Sequence, residues 1–317
     1  MVKVAVAGGS GQVAREVIDV LVATKKHEII ILSRKEPNPE EVDEGTTWAK
    51  VDYSDKDSLV QALQGVDVVL SFIVAHLDPG GIAQKSLIDA AIDAGVKRFA
   101  PSEWASSDLS ATPWYAGKID VREYLKEVNR EKKVLEYTLF QPGLFLNYLA
   151  SPHQTTRHIV PLGIQYDFAN RRAIVVDGAD DDSLTLTTAQ DLGGVVARAI
   201  EFDGEWPVVG GINGNTVNSA QILALGEEIR GKPFDVEKLN LEDLKAGEPK
   251  STWIPELKHP SLSEDQVAQF SKAVIAASLV GQAQGAWVVS DEWNKLLPDY
   301  QFTGIKEFLS DVWTGKP

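Results

Sequence analysis

The sequence contains no cysteine and a single methionine. Without thiols the chain can form no disulfide, no zinc–thiolate or iron–sulfur site and no cysteine nucleophile. Its 317 residues, 44% of them hydrophobic, suffice to bury a sizeable core without such cross-links. The lack of cysteine is compatible with the cytoplasm, which is the location we expect.

Long apolar runs and an excess of positive charge are also missing. The most apolar stretch, which starts at Leu135, is broken by Pro142 and Gly143, and a membrane span would need about 18 uninterrupted apolar residues. The formal net charge of −15 argues against general electrostatic binding of a polyanion. We therefore expect a small-molecule substrate as partner, and neither nucleic acid nor a membrane. The sequence leaves a homodimer open.

Short β-rich runs alternate with helical spacing over the first half of the chain. We predict strands at residues 2–7, 28–32, 48–51, 66–72, 98–101 and 136–141. Several are apolar on both faces, which is typical of parallel strands covered on both sides. The alternation predicts an α/β fold with a Rossmann-type, doubly wound parallel sheet. We place a cofactor-binding domain at 1–150 and a smaller, mainly substrate-binding part at 151–317, with late sheet elements returning within 170–230.

A glycine-rich loop, AGGSGQVA at residues 7–14, follows the first predicted strand and opens the first helix. Glycines at such a place permit a tight turn and close backbone approach, and the helix N-terminus offers free N–H groups to phosphate. A glycine turn without a ligand is the alternative, but the strand–loop–helix context favours a dinucleotide. The predicted phosphate-binding residues are Gly8, Ser10, Gly11, Gln12 and Val13.

The end of the second predicted strand distinguishes between the two nicotinamide cofactors. An acidic residue there would bind the ribose hydroxyls of NAD, whereas an arginine would pair with the 2′-phosphate of NADP. This chain has Ser33, Arg34 and Lys35, with no carboxylate before Glu36. The sequence therefore predicts NADP(H), bound by Arg34 and Lys35. A solvated basic strand end is the alternative.

Ligands of a doubly wound sheet lie beyond the carboxyl ends of its strands. This places residues 71–76, 101–107 and 141–147 around the nicotinamide. From these stretches and the helix that follows, we predict cofactor contacts at Phe72, Ile73, Pro142, Gly143 and Phe145, and substrate contacts at His76, Trp104 and Tyr148.

Lys118 is the predicted catalytic residue and a further cofactor contact. A partly buried lysine can have its pKa lowered towards neutrality and exchange protons with a substrate. The alternative is a surface lysine, because Lys118, Arg122 and Lys126 form a basic stripe at helical spacing. Tyr115 lies only three residues before Lys118, so it does not match the Tyr-x-x-x-Lys motif of short-chain dehydrogenases. The acidic loop at 177–182 lacks the spacing of a calcium loop, and we predict no metal site.

Taken together, these stretches resemble the NmrA-like and isoflavone reductase-like branch of the atypical short-chain dehydrogenases. The resemblance covers most of the first 200 residues and includes VAVAGGSGQVAREV, GVDVVLSFIV, AGVKRFAPSEWASSD, KIDVREYL, YTLFQPGLFLNYL and TTAQDLGGVVARAI. It implies NADPH-dependent reduction of phenolic or benzylic systems. It also implies that Lys118, in a K-x-x-V-R pattern, is the general base or proton relay, that Arg34 is the family's arginine and that Phe145 is its nicotinamide-side phenylalanine. Plant reductases usually read FFPSEFG where this chain reads FAPSEWAS, so their substrate does not carry over.

We therefore expect an NADPH-dependent reductase of a small aromatic or conjugated substrate, a phenolic, enone or ketone, with Lys118 as proton donor. One alternative is an NmrA-like regulatory protein that binds NAD(P) without turnover; such regulators usually lack the lysine. Another is an isomerase or epimerase that retains its NADP.

Overall fold

The computed structural model describes residues 1–36, 45–179, 182–257 and 263–316, and it confirms the predicted α/β class. Its main sheet has six parallel strands in the order β3-β2-β1-β4-β5-β6. These strands are β1 (Val2–Ala7), β2 (His27–Ser33), β3 (Thr46–Lys50), β4 (Val68–Ser71), β5 (Arg98–Ala100) and β6 (Glu136–Tyr137). The strand order reverses between β1 and β4, so a crevice for a ligand opens at their carboxyl ends.

Helices cover both faces of this sheet, which explains why its strands are apolar on both sides. Those between the strands are α1 (Gln12–Thr24), α2 (Lys56–Ala62), α3 (Ile82–Asp93) and α4 (Ala116–Val128). In β1, Val4 and Val6 pack with α1 on one face, whereas Ala5 and Ala7 pack with α2, α3 and α4 on the other. Both sets are fully buried.

The remainder of the chain adds smaller sheets and further helices. Its strands are β7 (Leu139–Gln141), β8 (Leu144–Phe145), β9 (Tyr166–Asp167), β10 (Arg172–Val176), β11 (Ser183–Thr187), β12 (Val209–Gly211), β13 (Asn215–Asn218) and β14 (Asp235–Leu239). Its helices are α5 (Ala189–Glu201), α6 (Ser219–Arg230), α7 (Leu241–Lys245), α8 (Glu264–Ala283), α9 (Glu292–Leu296) and α10 (Ile305–Trp313). No helix in the described ranges is long and apolar enough to cross a membrane. The division near residue 150 stays a prediction.

The predicted strand at 136–141 is wrong in one respect, because it forms two strands that pair with different neighbours. β6 continues the main sheet beside β5, whereas β7 pairs in parallel with β12. The change occurs at Thr138, whose N–H donates to the carbonyl of Phe99 at 3.2 Å, while the next N–H, of Leu139, donates to Val208 at 2.9 Å. Late elements thereby reach the strand that leads into the loop at 142–143.

Gly143→Ala should destabilise the fold far more than Gly95→Ala. Both glycines have a positive φ, 72° and 75°. A Cβ at Gly143 would lie 2.3 Å from the carbonyl oxygen of Thr185, whereas a Cβ at Gly95 would have no atom within 4 Å. We expect Gly95→Ala to cost about 1 kcal/mol, from backbone strain alone, and Gly143→Ala about 3 kcal/mol or more. Urea unfolding of both variants measures the difference. Equal losses in the free energy of unfolding would show that the Thr185 backbone moves away at no cost.

Candidate active site

A cavity of about 520 Å³ opens at the carboxyl ends of β1, β2 and β4. It is where the reversal of strand order predicts a ligand. Seven residues predicted to bind the cofactor line it, namely Gly8, Ser10, Gly11, Arg34, Lys35, Phe72 and Ile73. They come from three separate strand ends, which the parallel sheet brings to one edge.

The glycine loop forms a cradle at one end of this cavity. Gly8 has a φ of 73°, and a Cβ there would lie 2.8 Å from the carbonyl oxygen of Phe72. The Gly11 N–H donates to the Gly8 carbonyl at 3.0 Å, which closes the turn. Gly11 is the N-cap of α1 and, as a glycine, has no side chain to bond the first N–H groups of the helix. The first N–H groups of α1 therefore have the arrangement that binds a phosphate.

Positive charge marks the end of the cavity beside β2. Arg34 and Lys35 both line it, and the Lys35 N–H donates to the Ser33 hydroxyl at 3.1 Å, which shapes the turn. The carboxylate of Glu36 pairs instead with Lys50 of β3 at 3.0 Å. Two cations with a turn of polar backbone suit a phosphate monoester, such as the 2′-phosphate of NADP.

Sequence reasoning missed the residues that follow β3. Asp52, Tyr53 and Ser54 line the cavity, and the Asp52 carboxylate accepts from the Ser54 N–H at 2.9 Å and its hydroxyl at 2.7 Å. Burial raises the pKa of Tyr53 to about 12, against the opposing effect of the Arg34 charge. The signal was present, because a third parallel strand must end at the same edge.

An apolar wall of the cavity was also missed. It consists of Val74, Leu77 and Ile82, which line the cavity and are 46%, 68% and 69% exposed. The neighbouring Asp78 carboxylate accepts from the N–H groups of Ala83 at 2.8 Å and Gln84 at 3.2 Å. This bonding anchors the start of α3. Exposed aliphatic side chains at a cavity mouth offer a surface for a flat ring such as adenine.

Lys118 lies on α4 and is only 6% exposed, so the surface-lysine alternative is wrong. Its Nζ donates to the peptide carbonyl of Glu103 at 2.5 Å and lies 4.2 Å from the centroid of the Tyr115 ring. Burial lowers the pKa of Lys118 to about 8, assisted by the Arg122 charge and opposed by the Glu103 carboxylate. Lys126 of the same basic stripe has an exposed side chain that pairs with Glu123. The catalytic role of Lys118 stays a prediction.

The residue after Glu103 links the lysine to the cavity. Trp104 has a left-handed backbone, with φ of 38°, and its ring stacks on Phe72 with centroids 4.3 Å apart. Its indole N–H donates to the Ser71 carbonyl at 2.7 Å. Phe72 lines the cavity, so the Lys118 hydrogen-bond acceptor and the cavity wall belong to one packed unit. These contacts indicate a packing role for Trp104, and its substrate contact stays a prediction.

The loop after β7 approaches from the other side. The Gly143 N–H donates to the Ala105 carbonyl at 3.1 Å, so the segment that contains Pro142 and Gly143 contacts the loop of Glu103. Beyond it, the rings of Phe145 and Tyr148 meet edge to face at 5.7 Å. Burial raises the pKa of the Tyr148 phenol, with a smaller effect of Tyr115 in the same direction. These residues lie outside the lining of the cavity described above.

Three predicted residues are placed less directly. The Gln12 side-chain oxygen accepts from the Val160 N–H at 3.2 Å, so its amide holds the segment after residue 151 against α1. Val13 lies in the first turn of α1, and His76 is exposed in the short helical segment Ala75–Leu77. Asp180 and Asp181 of the acidic loop lie outside the described residues, among which no group of three metal-ligating side chains occurs.

Comparison with known proteins gives a consistent result. A sequence model of the NmrA-like family matches residues 2–309. Oxidoreductase swnN of Metarhizium robertsii is 27% identical over 100% of this chain and 98% of its own length. Oxidoreductase BOA1 of Botryotinia fuckeliana is 30% identical over 74% of this chain and 78% of its own. The crystal structure of an NADPH-dependent quinone oxidoreductase from Escherichia coli, complexed with NADPH, shares the fold, with a TM-score of 0.71 and 24% identity over 98% of this chain and 100% of its own.

Lys118→Met should change how stability depends on pH. Because the Lys118 pKa is lowered to about 8, the unfolded chain, with a lysine pKa of about 10.4, binds more protons than the folded protein between these values. Stability therefore rises with pH across this window. We expect the free energy of unfolding of the wild type, relative to that of the variant, to increase by about 2 kcal/mol between about pH 7 and about pH 10.

Urea unfolding of both proteins across this pH range measures the effect. Every other titrating group is shared, so subtracting the two profiles isolates Lys118. A difference that stays constant with pH would contradict the lowered pKa.

Proposed function

The chain belongs to the NmrA-like family, and from this premise we propose that it is an NADPH-dependent reductase of a small aromatic or conjugated substrate. The observation that carries the proposal is the buried Lys118, joined through Glu103 and Trp104 to the wall of a cavity suited to a dinucleotide phosphate. The oxidoreductase names of two fungal relatives and the quinone oxidoreductase with the same fold support it.

The cavity residues assign the cofactor as NADP(H). The N–H groups at the start of α1 would hold the pyrophosphate, with Gly8 leaving room for close backbone approach. Arg34 and Lys35 would hold the 2′-phosphate, and the apolar wall of Val74, Leu77 and Ile82 would cover the adenine. NADPH, when bound, would supply a hydride. The residues that would border the nicotinamide are Phe72, Ile73, Pro142, Gly143 and Phe145.

Lys118 supplies the proton that accompanies reduction. With a pKa of about 8, its side chain is mostly an ammonium at neutral pH, yet it loses a proton far more readily than an ordinary lysine. The N–H bond breaks as a substrate oxygen takes the proton, and solvent later returns one to the neutral amine. Activity should therefore decline as the pH rises above about 8.

Aromatic side chains near Lys118 favour a flat substrate. Besides Tyr115, whose ring faces the ammonium, Trp114 packs edge to face on Phe270 of α8 at 6.5 Å. Tyr148 and His76 are candidate substrate contacts. Flat, conjugated carbonyl compounds such as quinones combine stacking area with an oxygen that can receive the proton.

Lys118→Met should abolish turnover while leaving NADPH binding intact. Loss of a positioned proton donor costs about 100- to 10,000-fold in kcat. Lys126→Met, at an exposed lysine of the same helix, is the matched control and should retain activity. Oxidation of NADPH is followed by its loss of absorbance with a panel of quinones, enones and phenylpropenes.

Unchanged turnover in Lys118→Met would remove this residue from the mechanism. If the wild type binds NADPH but oxidises it with no member of the panel, the reductase function is wrong and a cofactor-binding regulator is favoured. Product formation without net NADPH consumption would instead indicate an isomerase or epimerase.

Arg34→Ala should weaken NADPH binding about 10- to 100-fold, which is the range expected for losing a charge-assisted fork on phosphate. NADH binding should not change, because NADH lacks the 2′-phosphate. Arg130→Ala, at an exposed arginine that pairs with Glu127, serves as control. Fluorescence titration with both cofactors measures the affinities. An equal loss for NADPH and NADH would contradict the assignment of Arg34.

A further inference from the structure

We propose that Glu103 and Arg122 are positioning residues for Lys118. Arg122 fixes the Glu103 carboxylate, and the Glu103 peptide carbonyl thereby holds the Lys118 ammonium near one negative charge, the carboxylate, and one positive charge, the guanidinium. This arrangement is a property of the folded protein. Only its consequence for turnover rests on the proposed function.

The hydrogen bonds of the pair are complete and directed. Arg122 Nε lies 3.1 Å from both carboxylate oxygens of Glu103, and Nη2 lies 2.5 Å from one of them. Arg122 Nη1 also donates to the Ser107 carbonyl at 3.1 Å. One guanidinium thus ties both ends of the loop 103–107 to α4. A planar fork of this kind fixes orientation as well as distance.

The same loop presents the acceptor for Lys118. The Glu103 N–H donates to the Pro101 carbonyl at 2.7 Å, while the Glu103 carbonyl accepts from Lys118 Nζ. Lys118 and Arg122 are four residues apart and therefore neighbours on α4. Glu103 consequently binds two of the three cations on this helix face, the Arg122 guanidinium through its side chain and the Lys118 ammonium through its backbone carbonyl.

Fold stability alone is a poor reason for this pair. The Glu103 carboxylate is 1% exposed, and the desolvation of a buried ion pair often cancels its attraction, so apolar residues of similar volume would serve as well. A charge pair differs from an apolar pair in two respects that matter to a lysine. It orients the peptide carbonyl, and it controls the electrostatic potential at the ammonium.

The charges around Lys118 make the effect of each partner predictable in sign. The Glu103 carboxylate favours the ammonium and Arg122 disfavours it. Tyr115 presents its ring face to the Lys118 ammonium. The nearby phenol of Tyr148 has a raised pKa and stays neutral, so it adds no charge. The segment 75–81, which packs on the start of α4, contributes the exposed His76 and Asp78, whose carboxylate is engaged at the start of α3. Removing the Glu103 carboxylate should therefore lower the Lys118 pKa, and removing the Arg122 charge should raise it.

The test is a direct titration of the Lys118 side chain by NMR in the full-length protein with labelled lysine, the resonance being assigned by its loss in Lys118→Met. We expect Glu103→Gln to lower the Lys118 pKa by about one pH unit. The double variant Glu103→Gln with Arg122→Met should return it towards the wild-type value. Arg122→Lys keeps the charge but loses the fork. It should leave the Lys118 pKa close to the wild-type value but lower kcat.

If the pair were only structural, these variants would lower the melting temperature without this sequence of pKa changes. That result would overturn the proposal. Asp299→Asn, which breaks the exposed pair with Arg198, is the control and should leave the Lys118 titration unchanged. Arg122→Met alone is avoided, because it would leave a buried carboxylate uncompensated.

Turnover separates this inference from the proposed function. If the pKa moves as expected and the pH profile of kcat follows it, both stand. If the pKa moves but the profile does not, Lys118 is not the proton donor and the positioning role remains. An unmoved pKa refutes the positioning role whatever the activity.

Discussion

A carboxylate buried without a partner would cost the fold several kcal/mol, and this constraint holds the loop that contacts Lys118 against α4. Glu103 satisfies it with Arg122, and the pairing tethers the loop after β5 to α4. Two consequences follow from that tether. The peptide carbonyl of Glu103 meets Lys118, and the adjacent Trp104 is turned so that its ring stacks on Phe72. The lysine and the cavity wall are therefore positioned by the same short loop.

The cavity depends on a second close contact, between Gly8 and the end of β4. Because Gly8 has no Cβ, the backbone of Phe72 can approach it, and the first turn of α1 is left open at the switch point of the sheet. Arg34 reaches the same edge from β2. Phe72 thus contacts both loops: its backbone lies against Gly8, and its ring stacks on Trp104, next to Glu103. The proposed reductase function requires phosphate binding and a proton donor near one cofactor, and the packing between these loops is consistent with that proposal.

Much of this organisation could be predicted from local patterns. The predicted strand at 2–7 matches β1, and the glycine loop and Arg34 lie on the cavity, since their positions follow from strand ends in a parallel sheet. Other features could not be predicted in this way. The run 136–141 looks like one strand, yet pairing divides it between two sheets at Thr138. Asp52 and Tyr53 were overlooked because their sequence carries no motif, although topology places them beside Arg34. The ring of Trp104 stacks on both Phe72 and Phe140, which no local pattern predicts, and its substrate contact stays a prediction.

The sequence by itself determined the α/β class, the family and the position of the glycine loop after the first strand, because each depends on periodicity or on residues close together in the chain. Only the tertiary structure decided what kind of lysine Lys118 is. Helical spacing places Lys118 and Lys126 in one stripe, but the first is buried and the second exposed. The difference comes from contacts with distant segments: Lys118 bonds the carbonyl of Glu103, fifteen residues away, and segment 75–81 packs on the start of α4. Burial and the charges that accompany it are set by contacts between distant segments, and they lower the pKa on which a proton donor depends.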